Sequence, residues 1–275
     1  MPGPLQCASY SSRRPRPGSI RAYSAAIKAE LEKRLGFNLE PVRPYRFDGT
    51  GDRFGWTKTD DGFLHLCLYL RAGRVANTDE MRLLDGMRAI AEIHAGQFRL
   101  TSNQNVIIAD VPPEARCRIE TLVAEYGLGD YTRFRRFRLN ALSCVALPTC
   151  PLAMAEAERY LPHLLDKIEV LLERHGLQDV APLLRLSGCP NSCSRSHLGE
   201  IGLIGRAVGR YDLRLGADIR GERLNALYRE NIDEAGILGE LDRLFARYAA
   251  EREDGEDFGD FVCRAGIVRI CLYNR

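Results

Sequence analysis

No stretch of this sequence approaches the ~20 consecutive apolar residues that a membrane span requires. The first thirty residues also lack the apolar core of a secretory signal. Net charge is only +2, so no broad basic field argues for nucleic acid. No HExxH motif occurs, and no internal repeat at solenoid periods is seen. What remains is a globular, soluble composition, 45% apolar and 28% charged, with a cytoplasmic location expected. At 275 residues the chain has room for two ordinary domains.

Cysteine is the residue in excess. The count is nine, odd, and unaccompanied by a signal, which points to a reducing compartment and to metal or redox chemistry. Cys144 and Cys150 flank five residues, VALPT, and Cys189 and Cys193 flank three, PNS. Each pair lies in a Pro- and Gly-rich stretch beside an expected helix or strand end. Four thiolates supplied as two local pairs suit an iron–sulfur cluster. Two other readings stay open on spacing alone: ordinary buried thiols, and a structural zinc, whose paired ligands favour two to four intervening residues. Cys67 alternates with core residues, Cys117, Cys263 and Cys271 have no partner spacing, and Cys7 lies in a polar arm. None of these five is expected to be a ligand.

The pattern along the chain is α+β. Residues 1–24, rich in Ser, Arg, Pro and Gly, read as a disordered arm. A targeting peptide is the alternative, but Pro15 and Pro17 speak against an amphipathic helix there. Residues 25–35 read as a short helix closed by Gly36. The segment 63–71 has strand character. Asn77 and Glu80 have capping-box spacing for a helix carrying Leu83, Leu84, Met87, Ile90 and Ala91. Strands at 97–101 and 104–109 follow, then a helix opened by Pro112 and Pro113 with Ile119, Leu122 and Val123 inward, then a strand near 133–139. That order, β-α-β-β-α-β, is the ferredoxin-like split βαβ arrangement, spanning with its linker helix residues 25–128. A mixed α/β domain over 129–269 is expected to hold a helix at 151–175, kinked or split at Pro162, strands at 182–187 and 200–205 around the second cysteine loop, and a helix at 233–251. Residues 270–275 form a divergent tail.

The stretches SCVALPTCPLAMAEAERYLP and LRLSGCPNSCSRSHLGEIGLIG closely resemble the paired cysteine motifs of the sirohaem-dependent sulfite and nitrite reductase family. The resemblance runs upstream through RPYRFDGTGDRFGW and GQFRLTSNQNVIIADVP, and downstream through VGRYDLRLGADIRGERL and EREDGEDFGDFVCRAGIVR, covering about residues 25–269. It is nearest to the assimilatory, NADPH-linked branch, and to the C-terminal half of its haemoprotein. It implies a 4Fe–4S cluster ligated by Cys144, Cys150, Cys189 and Cys193, with Cys193 also the axial ligand of a sirohaem iron. It implies the six-electron reduction of sulfite to sulfide for cysteine biosynthesis, with electrons from a flavoprotein subunit. A ferredoxin-fed sulfite or nitrite reductase is the alternative, and a truncated, non-catalytic iron–sulfur or zinc protein a further one. The family's haemoprotein is about twice this length, and its anion-binding Arg and Lys residues belong to the N-terminal half, so this chain alone is expected to bind its cluster poorly and to reduce little sulfite unless a separate first half completes the pocket.

Further residues carry weaker expectations. Asn191 lies inside the second cysteine loop, either as a turn residue or against the sirohaem. Asn103, Gln104 and Asn105 make a polar knot between two strands; the family reading turns Asn103 or Gln104 toward the cofactor. Arg99, Arg133, Arg135, Arg136 and Arg138 read chiefly as charges on a half-solvated surface, although bidentate Arg suits sirohaem carboxylates and Arg–Phe alternation superficially suits single-stranded nucleic acid. No catalytic role is assigned to His94 or His163, and neither nucleic acid nor membrane is expected as a partner.

Overall fold

The computed structural model describes residues 17–41, 43–44, 49–79 and 81–269. The chain divides into two compact units, one up to Arg46 and one from Phe47 onward. The first holds a helix, α1, Pro17–Leu35. The expected helix therefore starts eight residues early, and the expected arm is corrected over residues 17–24. A proline is tolerated in a first helical turn because its missing N–H would have no partner there. Gly36, at φ 75°, ends α1 and donates to the Glu32 carbonyl at 3.0 Å. Cys7 and Pro15 lie outside the described residues, as do Cys271 and the expected tail.

The second unit contains two sheets. The first is built from β1 (Gly55–Lys58), β2 (Leu64–Leu68), β3 (Gln97–Leu100) and β4 (Val106–Val111) in the order β1-β2-β4-β3, all antiparallel. Helices α2 (Leu83–Ile93) and α3 (Arg116–Glu125) supply Leu83, Ile90 and Ile119 to the core formed with Leu66, Leu68, Val106 and Ile108. Glu80 is outside the described residues. Asn77 still serves the helix start, its Oδ1 accepting the Asp85 N–H at 3.2 Å. The expected strand at 133–139 is a correction: Arg136–Asn140 form a short helix, α4, and the fourth strand is β1 instead. Arg138 donates to Asp166 and Glu169, and Arg135 pairs with Glu173, so this segment is held by the carboxylates of another helix rather than by a sheet edge.

That other helix is α5 (Leu161–Arg174). Its stripe of Leu161, Leu164, Leu165, Ile168, Leu171 and Leu172 is buried as the periodicity requires. Residues 151–160 are turns, so the expected helix is shortened by a turn-rich lead, and Pro162 sits in its first turn, where it opens the helix rather than kinking it. The second sheet runs β5 (Leu142–Ser143), β6 (Leu184–Ser187), β7 (Ile201–Ala207), β8 (Arg210–Leu215) and β9 (Ala226–Ile232) in sequence order. Strands β5, β6 and β7 are parallel; β8 and β9 return antiparallel. Helices α6 (Glu234–Glu251) and α7 (Phe258–Arg264) close the core with Leu241, Leu244, Phe245, Phe258 and Phe261. Asp233 caps α6 by accepting from the Gly236 N–H at 2.9 Å.

One buried carboxylate ties the sheet to the last helix. Glu200 accepts from the Leu183 N–H at 2.8 Å and from the Gly259 N–H at 2.7 Å. Gly259 is required there, because a Cβ would stand 1.9 Å from the Ala217 carbonyl oxygen. Burial pushes the Glu200 carboxyl up to about 7, against the pull of its two amide donors. The folded chain thus keeps a proton that the unfolded chain releases above about 4.5. The contribution of this group to stability is fully present below that value and is lost as pH rises through about 7, by roughly 3 kcal/mol. The melting temperature should therefore be lower at pH 8 than at pH 5, and Glu200→Gln should remove that slope. Parallel pH profiles for wild type and variant in thermal unfolding would refute this.

Candidate functional site

Strands β5 and β6 are parallel neighbours, with Ser143 opposite Leu186, so their C-terminal ends lie at one edge of the sheet. Open sheets with parallel strands collect functional loops at that edge. Cys144 follows the last residue of β5, and Cys189 follows β6 by two residues, so the edge receives both cysteine loops. Backbone bonds then lock one loop to the other. The Cys144 N–H donates to the Leu186 carbonyl at 3.1 Å, and the Gly188 carbonyl accepts from Met154 at 2.8 Å and Ala155 at 3.0 Å. The Gly188 N–H donates to the Cys144 Sγ at 3.2 Å. Such close passage needs a residue without a side chain. A Cβ on Gly188 would lie 2.5 Å from the Ala146 Cβ and 2.7 Å from the Ala155 carbonyl oxygen.

The Cys144 sulfur feels two of the other three. Burial holds the Cys144 thiol above its ordinary value, and the nearby Cys193 and Cys189 add to the shift, while the backbone N–H groups of Gly188 and Ala146 oppose it. Cys189 is buried, Cys144 half-buried and Cys193 exposed. Cys150 is half-buried and anchored in the first loop, its N–H donating to the Ala146 carbonyl at 2.7 Å; its thiol enters none of these interactions. Among the described residues no three His, Cys, Asp or Glu side chains are gathered as ligands of one ion. Cysteine sulfurs from two converging loops are the donor set an iron–sulfur cluster takes. Burial pushes the Cys67 thiol up to about 12 and raises that of Cys263. Cys117 is exposed on α3.

The second loop is held by a small polar network. Ser187 and Ser194 hydroxyls lie 2.6 Å apart, Ser196 Oγ is 2.7 Å from Ser187, and the Ser194 N–H donates to Ser187 Oγ at 3.2 Å. Asn225 Nδ2 donates to the Ser196 and Gly199 carbonyls at 2.7 and 2.8 Å. Ser192 and Arg195 take left-handed backbone conformations, at φ 55° and 59°, a strain that such networks sustain. Asn191 is exposed at the tip of this turn.

The β3–β4 hairpin tip reaches the same edge. Gln104 Nε2 donates to the Ser143 carbonyl at 2.6 Å, immediately before Cys144. Asn103 Nδ2 donates to the Thr50 carbonyl at 2.8 Å and to Asp52 at 3.1 Å, and its Oδ1 accepts from Arg195 at 3.1 Å. Both amides are thus engaged by protein. Two residues not singled out from the sequence organise this contact. Asp52 also accepts from Thr101 at 2.6 Å and from Asn105 at 2.8 Å, and Arg195 also donates to the Ser102 carbonyl at 2.8 Å. The stretch holding Asp52 belongs to the family resemblance, which was the available signal for it.

Between hairpin and first loop lies a cavity of about 590 Å³ lined by Leu70, Arg74, Val75, Leu100, Gln104 and Val145. Leu100 is 84% exposed, and Val75 and Val145 are over two-fifths exposed. Arg74 is paired with Glu158 through both carboxylate oxygens. The cavity offers an apolar wall to a flat ligand and leaves its other side open, so it fits one face of a tetrapyrrole and does not enclose it. The expected Arg set lies elsewhere: Arg99 pairs with Asp110, Arg135 with Glu173, and Arg138 with Asp166 and Glu169, while Arg136 lines a second cavity near Asn140. His94 Nε2 bonds the Ala109 carbonyl at 2.9 Å, and His163 is exposed. Among the described residues no helix is long and apolar enough to cross a membrane.

The loop crossing yields a direct test. Gly188→Ala should destabilise the chain by about 1–3 kcal/mol, the usual cost of overpacking, and should raise the labelling rate of Cys144 by a thiol reagent. Unchanged unfolding and unchanged labelling would show that the crossing is looser than described.

The family model for the nitrite/sulfite reductase ferredoxin-like half domain matches residues 57–126. The sulfite reductase [NADPH] haemoprotein beta-component of Myxococcus xanthus is 58% identical over 240 residues, 87% of this chain and 43% of that protein. Its counterpart in Anoxybacillus flavithermus is 55% identical over 244 residues, 89% of this chain and 43% of that protein. The Bacillus subtilis one is 52% identical over 243 residues, with 88% and 43% covered. The structure of the Mycobacterium tuberculosis NirA protein shares the fold, with a TM-score of 0.71 at 23% identity, over 90% of this chain and 47% of that one. The chain spans somewhat under half the length of the relatives it matches. Over most of its length the chain is a homologue of part of the sulfite reductase haemoprotein beta-component, and residues 57–126 match the ferredoxin-like half domain of nitrite and sulfite reductases.

Proposed function

We propose that this chain is the C-terminal part of an assimilatory sulfite reductase haemoprotein, with Cys144, Cys150, Cys189 and Cys193 holding a 4Fe–4S cluster and Cys193 also reaching the iron of sirohaem. The observation that supports it most is the meeting of both cysteine loops at the edge of β5 and β6, with the Gly188 amide already aimed at the Cys144 sulfur. When bound, the coupled groups would relay from an external donor, in successive transfers, the six electrons that turn sulfite and six protons into sulfide and three waters.

The chain's own residues do the holding. The Gly188 N–H lowers the cost of a thiolate at Cys144, and an amide-to-sulfur bond of this kind tunes a cluster's potential. Cys193, the exposed member, is free to meet a second metal group. Gln104 fixes the backbone at Ser143 and so the position of Cys144. The apolar wall of Leu100, Val75 and Val145 would cover one face of the macrocycle and keep water from it. The anion-binding cations and the opposite wall would come from a separate N-terminal half, and electrons from a flavoprotein subunit.

Anaerobic reconstitution with iron and sulfide tests this reading. Roughly four irons and four sulfides per chain are expected once the companion half is present, and less without it, with an absorbance band near 400 nm. Serine at any one of the four cysteines should lower that content severalfold, while Cys67→Ser and Cys117→Ser should leave it unchanged. One zinc per chain in place of iron, or iron content indifferent to the four substitutions, would refute it. Sulfide production should need the companion half; supplying NADPH with flavoprotein, or reduced ferredoxin, to the completed enzyme separates the two donor classes.

A further inference from the structure

Strand β6 alternates leucine with polar residues: Leu184 and Leu186 on one side, Arg185 and Ser187 on the other. Leu184 and Leu186 join the core of the second sheet, and Arg185 between them is only 3% exposed. Its Nε and Nη1 are buried and meet no hydrogen-bond acceptor. The positions beside it in the sheet, Leu142 and Gly202, carry no acid. The serine network two residues ahead is closed on itself, and Glu200 is spent on two backbone amides. The charge it feels is a second cation, Arg195. Burial, and then Arg195, push the guanidinium down to about 10, so it stays protonated at neutral pH. A buried charge without a partner is strongly unfavourable, and native folds supply one. Arg195 is itself fixed in place by the Ser102 carbonyl and Asn103, and among the described residues it pairs with no carboxylate.

We propose that Arg185, with Arg195 beside it, is a binding site for a carboxylate carried by a group outside this chain. A guanidinium presents planar, paired donors that match a carboxylate, and Arg195 lies close enough to act on it electrostatically. The site lies at the rim of the second cysteine loop, since Arg195 is two residues past Cys193. Two sources share this chemistry: a carboxylate side chain of a tetrapyrrole, and an Asp or Glu of a companion polypeptide. The first rests on the proposed function; the site itself does not.

The test uses the purified chain in thermal unfolding, with malonate compared against chloride at matched ionic strength. Malonate should raise the melting temperature, by about 5 °C at a hundredfold excess over its dissociation constant. Arg185→Met should abolish that rise, and in chloride should be no less stable than wild type, because an unpaired buried charge has been replaced by a hydrophobe. Arg185→Lys keeps a charge without the planar fork and should weaken malonate about tenfold, which serves should the Met variant fail to fold. A wild type indifferent to malonate, or variants that respond as wild type does, would overturn the proposal. Sirohaem titration followed by absorbance then separates the sources. Binding weakened about tenfold in Arg185→Met names the tetrapyrrole; unchanged binding alongside a lost malonate response names the polypeptide carboxylate. Iron and sulfide content reports independently on the cluster.

Discussion

The rest of the site hangs on the backbone of Gly188. Its carbonyl takes two amides from the first cysteine loop and its N–H points at a cysteine sulfur. Gly205 of β7 presses on the same place from below, since a Cβ there would stand 2.4 Å from the Gly188 carbonyl oxygen. Three segments far apart in sequence thus pass one point with no room for a methyl group. Hydrogen bonds and steric exclusion act together, so the loops have one way to meet. The serines and Asn225 then hold the second loop against β6 and β7.

The antiparallel sheet contributes through its hairpin tip. Asp52 receives three side-chain donors from that tip, and Gln104 and Asn103 pass the order on to Ser143 and Arg195. Hydrogen bonds to a carboxylate are among the stronger ones, and a closed set of them rigidifies. The position of Cys144 is in this way set from two sides, by its own sheet and by the hairpin of the other.

Much of this was legible in the sequence where one physical signal dominated. The α5 stripe and the Asp233–α6 segment follow from helical periodicity, and the two cysteine pairs from spacing. The segment 133–139 misled because Arg–Phe alternation satisfies a strand, whereas tertiary carboxylates on α5 select a short helix. Pro162 misled because proline is a breaker inside a helix and a favoured residue at its start, and local sequence does not tell which turn comes first. β1 is four residues long and half exposed, too short for a periodic signal. Asp52 and Arg195 were invisible as a pair of anchors because their meaning lies in contacts some fifty to ninety residues away. Arg185 was read as part of an ordinary strand; only burial without an acceptor sets it apart.

The connection between β5 and β6 passes through α5, and this fixes an order of events. The first cysteine pair is translated, then α5 must form and pack before the second pair arrives beside it. Of the four proposed ligands, an early, incomplete chain offers two. Assembly of the proposed four-thiolate site would then follow tertiary folding rather than nucleate it, unlike small metal modules whose ligands are close enough in sequence for the ion to organise the fold.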